Sequence, residues 1–142
     1  MNITGQITEH FSVEEFANPA SGEEIQGVMN PQVFAFAKLM EDVRAYIVSR
    51  GWAKYAKVNS WYRTEAFNRD VAHGIPNSLH LQGLAMDVKL KLDDAQFAEL
   101  ASFFSAVCAN RGAPGEIGLY ESWIHFGWPI AYQLDTYIYD AR

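Results

Sequence analysis

Cysteine is nearly absent from this chain. Cys108 is the single one, so no disulfide can close within the chain and no cysteine-rich zinc knuckle is available. It falls inside the helical pattern Phe97–Asn110 with no activating histidine nearby, and is expected to be a small core residue. Basic residues are scarce too: 11 Lys and Arg stand against 17 Asp and Glu, a net charge of -6. With no basic run, neither nucleic acid nor a polyanionic membrane surface is an expected partner. No apolar run approaches a membrane span, so no membrane insertion is expected. The start, Met1-Asn2-Ile3-Thr4-Gly5, lacks the charged beginning and apolar core of a signal peptide. The chain is therefore expected to be made in the cytoplasm without an export signal. Internal repeats, low-complexity tracts and dividing linkers are also missing.

What the chain does have is enough apolar material for a core. At 142 residues, 49% hydrophobic and 14% aromatic, it reads as one domain over residues 1–142. Ser12-Val13-Glu14-Glu15 is a capping-box pattern and predicts a short helix through Phe16, followed by a loop with Pro19 and Gly22. Asn30-Pro31 opens the longest helix, along which Val33, Phe36, Met40, Val43 and Ile47 recur at helical spacing, and Gly51 ends it. Ala56 to Trp61 reads as a strand, Thr64 caps a short helix through Val71, and His73 to Leu79 is a loop.

Leu84 to Leu90 alternates, with Leu84, Met86, Val88 and Leu90 on one face and Ala85, Asp87 and Lys89 on the other. Asp93-Asp94 starts a second long helix with a stripe of Phe97, Leu100, Phe104 and Val107, closed by Arg111-Gly112. Gly115–Tyr120 and Trp123–Trp128 read as two strands with a tight connection. The aromatic, acidic tail 129–142 matches no element. The order implies an α+β fold, helices packed on a central, mainly antiparallel sheet.

The chemistry concentrates in Asn77-Ser78-Leu79-His80-Leu81-Gln82-Gly83-Leu84-Ala85-Met86-Asp87. It puts a histidine in a loop just before a strand and an aspartate on the less apolar face of that strand, with small Gly83 and Ala85 leaving space. His125 lies on the polar side of a later, otherwise apolar strand. Two imidazoles and a carboxylate suit a catalytic zinc, which takes three protein ligands and keeps a position for water. The same residues are also compatible with a surface histidine, an aspartate paired with a lysine, and a hydrogen-bonded core histidine.

Ser78-x-His80-x-x-Gly83-x-Ala85-x-Asp87, followed by Trp123-Ile124-His125, resembles the signature of the zinc D-Ala-D-Ala carboxypeptidase family, which belongs with the lysostaphin-type and hedgehog-like zinc folds. His10-Phe11-Ser12-x-x-Glu15-Phe16 resembles the opening of its small phage and bacterial members, and Asn59-Ser60-Trp61-Tyr62-Arg63-Thr64 their Ser-Gly-Tyr-Arg segment. Phe67-Asn68, Gly74-x-x-Asn77-Ser78 and Gly115-Glu116-Ile117-Gly118-Leu119-Tyr120 fit as well, so the resemblance covers about residues 10–128.

The resemblance implies a hedgehog/D-Ala-D-Ala peptidase-like fold with Zn2+ held by His80, Asp87 and His125. It implies that Arg63 reaches into the site to bind the substrate and stabilise an oxyanion, a task a guanidinium fork suits. Ser78 either bonds substrate or holds its loop. Many relatives carry an acid three residues before the last His, where this chain has Ser122; Glu121 is the expected general base and Glu116 the second candidate. Relatives often have Asp two residues after that His, where this chain has Gly127. His73 is expected to face solvent and His10 to be structural.

The expected function is a monomeric zinc metallopeptidase cutting peptidoglycan stem peptides at the bacterial cell wall. It would be either a D-Ala-D-Ala carboxypeptidase or an endopeptidase such as one cutting L-Ala-D-Glu. Without an export signal, a phage or prophage lysin released through a membrane hole fits best. The alternatives are a non-catalytic zinc-containing wall-binding module, motivated by Ser122 and Gly127, and a structural module of a phage particle.

Overall fold

A side-chain cap starts each α-helix among the described residues of this computed structural model, which are 5–18 and 20–142. Such a cap stabilises its helix by about 1 kcal/mol. In α1 (Val13–Ala17) the Ser12 hydroxyl accepts from the Glu15 N–H while the Glu15 carboxylate accepts from the Ser12 N–H. Ser21 and Glu24 repeat this box at α2 (Gly22–Gln26). Asn30 caps α3 (Pro31–Ser49), Thr64 caps α4 (Glu65–Asp70), and Asp93 with Gln96 caps α5 (Asp94–Asn110). The strands are β1 (Lys57–Ser60), β2 (Ala85–Lys89), β3 (Glu116–Leu119), β4 (Trp123–Gly127) and β5 (Tyr137–Asp140).

They form one sheet in the order β1-β2-β4-β3-β5, antiparallel except for the parallel β3–β5 edge. One face is apolar, with Met86 and Val88 beside Phe126 and Ile124, and those beside Ile117 and Leu119. Helices α3 and α5 cover it, and Phe104 of α5 meets Phe126 edge-on at 5.2 Å between ring centres. Because side chains alternate along a strand, the other face receives the intervening residues. A single row crosses all five strands there: Ser60, Asp87, His125, Gly118 and Tyr139 are successive register partners. A bulge between Val58 and Ser60 brings Ser60 opposite Asp87.

The expected α+β architecture is present, with a mainly antiparallel sheet. Three local expectations need correction. Gly22 is not in a loop but begins α2, because the Ser21–Glu24 box and the buried Ile25 outweigh the poor helix propensity of glycine. The tail is not featureless: 137–140 pairs with β3 as β5. The buried stripe of α5 ends on fully buried Cys108, Val107 being only partly covered. Burial pushes the Cys108 thiol up to about 12, consistent with an unreactive core residue. His10 is structural as expected, its Nδ1 and backbone N–H both bonded to Glu41 of α3. Among the described residues no helix is long and apolar enough to cross a membrane. Met1–Thr4, read above as the start of a chain without a leader, and Pro19, read as a loop residue, lie outside the described residues.

Candidate metal centre

His80 sits on a 3-10 helix, Leu79–Gln82, inserted between α4 and β2. Ser78 caps it, its hydroxyl accepting from the His80 N–H at 3.2 Å, and Gly83 ends it in the left-handed conformation at φ 72°. A Cβ at Gly83 would come within 2.6 Å of the Phe16 ring, so both backbone and space require glycine there.

The residues after β1 clamp this turn. The Trp61 carbonyl accepts from His80 Nδ1 at 2.6 Å, the Trp61 indole N–H donates to the Gly83 carbonyl at 2.8 Å, and the Arg63 N–H donates to the His80 carbonyl at 3.0 Å. With Nδ1 committed to a backbone carbonyl, neutral His80 presents the Nε2 lone pair inward. This is the usual way in which a ligand histidine is oriented.

Asp87 and His125 face each other as partners on β2 and β4. His125 Nδ1 lies 2.9 Å from Asp87 Oδ1, and His80 Nε2 lies 3.3 Å from the same oxygen. The three side chains are buried, and one donor atom of each lies within 4.8 Å of the others. Two imidazole nitrogens and a carboxylate oxygen converging in a buried cluster match the donor set and number of a catalytic zinc site.

Arg63 holds the second oxygen of Asp87, Nη2 to Oδ2 at 3.0 Å, in a buried ion pair. Its Nε donates to Ser60 and its Nη1 to Asn68. Burial favours the neutral carboxyl of Asp87, but the neighbouring His125 and His80 outweigh this, and its pKa falls well below the usual carboxylate range. Burial lowers the pKa of His80 and keeps it neutral. Burial also works against the imidazolium of His125, yet hydrogen bonds to Asp87 and Glu116 and their charges lift it to about 9.

Of the residues singled out in the sequence, His80, Asp87, His125 and Arg63 come together. Ser78 is beside them but is committed to the loop. Glu121 is exposed in the turn between β3 and β4, beyond the stacked pair Tyr120–Trp123. Glu116, the second candidate, lies against His125 instead: its Oε1 accepts from Nε2 at 2.9 Å. His73 is exposed, as expected.

Two tyrosines were not anticipated. Tyr132 donates to Glu116 Oε2 at 2.7 Å. Tyr139 leans over Gly118 toward His125, its ring centre 6.4 Å away, and a Cβ at Gly118 would meet Tyr139 Cζ within 2.2 Å. No local pattern in the tail announces either tyrosine.

A mainly antiparallel sheet with helices on one face and a buried two-histidine, one-carboxylate cluster on the other defines a candidate metal centre on an α+β scaffold. The family follows from sequence: the model of the family described as Peptidase M15 matches residues 9–127, and the chain belongs to that family. It is thus a metallopeptidase of a family of zinc enzymes. No match was found among curated proteins or among solved structures.

Proposed function

We propose that this chain is a zinc peptidase that hydrolyses peptidoglycan stem peptides, as a D-Ala-D-Ala carboxypeptidase or as an endopeptidase of the L-Ala-D-Glu type. It would act as a monomer at the bacterial wall, in the manner of a phage or prophage lysin. The observation that carries the metal chemistry is the buried convergence of His80, Asp87 and His125, with Nδ1 of His80 already tied back to Trp61. Zinc held there supplies a Lewis acid and a water whose pKa is lowered to about 7.

The remaining work falls to the chain's own side chains. Arg63 has five N–H donors; three are engaged by Ser60, Asn68 and Asp87. The others are available to a substrate carboxylate or carbonyl, where a fixed fork stabilises developing negative charge. Burial and the neighbouring Tyr120, Glu116 and Asp87 raise the pKa of Tyr139. Its phenol stays protonated, and its oxygen lies 3.1 Å from the Tyr120 hydroxyl. Glu121 is assigned the proton transfer from water to the leaving amine. Its exposed carboxylate does not touch the cluster, but catalytic contacts often tighten only when substrate is bound.

The exposed position of Glu121 also favours a second reading, a zinc-containing module that binds wall peptides without cutting them. Digestion of purified peptidoglycan, with the released ends identified by mass spectrometry, separates the two. A single new peptide terminus is expected and names the bond. Glu121→Ala is expected to keep its zinc and lose turnover by about 10²–10⁴-fold, the usual contribution of general acid–base catalysis. Wild-type turnover in that variant would remove Glu121 from the mechanism. Zinc-loaded protein that binds walls of several chemistries and cuts none would favour the binding module.

A further inference from the structure

Gly127 and Glu116 are register partners on β4 and β3. A Cβ at Gly127 would stand 2.8 Å from both Cγ and Oε1 of Glu116, so Glu116 fills the space that a side chain at position 127 would take. From there it bonds the Nε2 of His125 at 2.9 Å through Oε1, while Oε2 accepts the Tyr132 hydroxyl at 2.7 Å. Both oxygens are engaged and the side chain is largely buried. The other nitrogen of the His125 ring, Nδ1, faces Asp87. Glu116 therefore stands on the far side of the imidazole from the donor cluster, where it cannot act on a metal-held water.

We infer that Glu116 is the positioning residue of His125. It fixes the proton on Nε2 and so presents the Nδ1 lone pair to the metal, in the place left open by Gly127, and Tyr132 braces it. The C-terminal segment beyond the family-matched residues 9–127 is then part of the metal centre, through Tyr132. A carboxylate behind a ligand histidine holds the ring in orientation and raises its basicity, and losing such a partner typically costs 10–100-fold in metal affinity. This inference rests on the zinc reading above.

Zinc affinity, measured by competition with a chromophoric chelator, tests it without recourse to activity. Glu116→Ala should bind zinc about 10–100-fold more weakly than wild type. Glu116→Gln, whose amide oxygen still accepts from Nε2–H and whose amine can donate to Tyr132, should fall between the two. Tyr132→Phe should lose less than Glu116→Ala. In 15N NMR spectra of zinc-loaded protein, the Nε2–H of His125 should be protected in wild type and exchange rapidly in Glu116→Ala, a change that a merely structural role would not produce. Wild-type affinity in Glu116→Ala overturns the inference, as does a Gln variant no better than the Ala variant. A wild-type chain that binds no zinc overturns the metal-centre reading beneath it, a separate and recognisable failure.

Discussion

His80→Ala is expected to lose stoichiometric zinc and, with it, wall-peptide hydrolysis. His80 contributes one of three donors and is the one delivered by the 3-10 turn rather than by the sheet. Removing it leaves two donors on adjacent strands, too few for a closed three-ligand site. The loss of affinity should exceed the roughly 10–100-fold that the loss of an outer partner costs. The fold should survive in the metal-free form. The main local consequence is an unpaired Trp61 carbonyl, a penalty of about 1–3 kcal/mol. Metal content and thermal unfolding of the apo-protein, measured on one sample, separate loss of the site from loss of the fold. A His80→Ala protein that holds one zinc as tightly as wild type would overturn the ligand set.

Trp61→Ala carries the largest expected effect on stability. Trp61 is fully buried, with Phe11, Phe16 and Phe36 edge-on to its ring at centroid distances of 5.9, 5.1 and 6.3 Å. Truncating a large buried aromatic costs about 3–5 kcal/mol through lost burial and the cavity left behind. The Gly83 carbonyl also loses its indole donor. The bond to His80 comes from the Trp61 backbone carbonyl and survives the substitution, but the 3-10 turn loses its indole anchor at Gly83, so the variant should loosen the turn that carries His80 as well as the core. Urea unfolding of the metal-free chain should show a loss of unfolding free energy of that size, together with weaker zinc binding. A cost below about 0.5 kcal/mol, the range of an ordinary surface change, would show that Trp61 holds neither the core nor the turn.

The elements that could be read from the sequence are those whose signals are local. Ser12, Asn30, Thr64 and Asp93 announce helices because a cap bonds the first turn of the same helix. The alternation in β2 separates Asp87 from Met86 and Val88 by face alone, and the spaced motif from Ser78 to Asp87 picks out two of the cluster residues before any fold is known. α2 was local too, but Gly22 masks its box. β5 was not legible, because its pairing with β3 is parallel and reached by a long return, and it exposes most of its side chains.

The centre's finer arrangement was illegible for the same reason. Which acid lies against His125 depends on the β3–β4 register, which places Glu116 opposite Gly127, while Glu121 falls at the turn. Which nitrogen of His80 points inward depends on a carbonyl nineteen residues away in sequence, at Trp61. The binding of Arg63 to Asp87 Oδ2 likewise depends on the bulge in β1 and the Ser60 that it positions.

Diffraction at the zinc absorption edge, on crystals of the protein purified without chelator, tests the central claim most directly. One anomalous peak per chain is expected, in contact with His80 Nε2, Asp87 Oδ1 and His125 Nδ1. No peak among these three side chains, or a metal bound elsewhere in the chain, would contradict it.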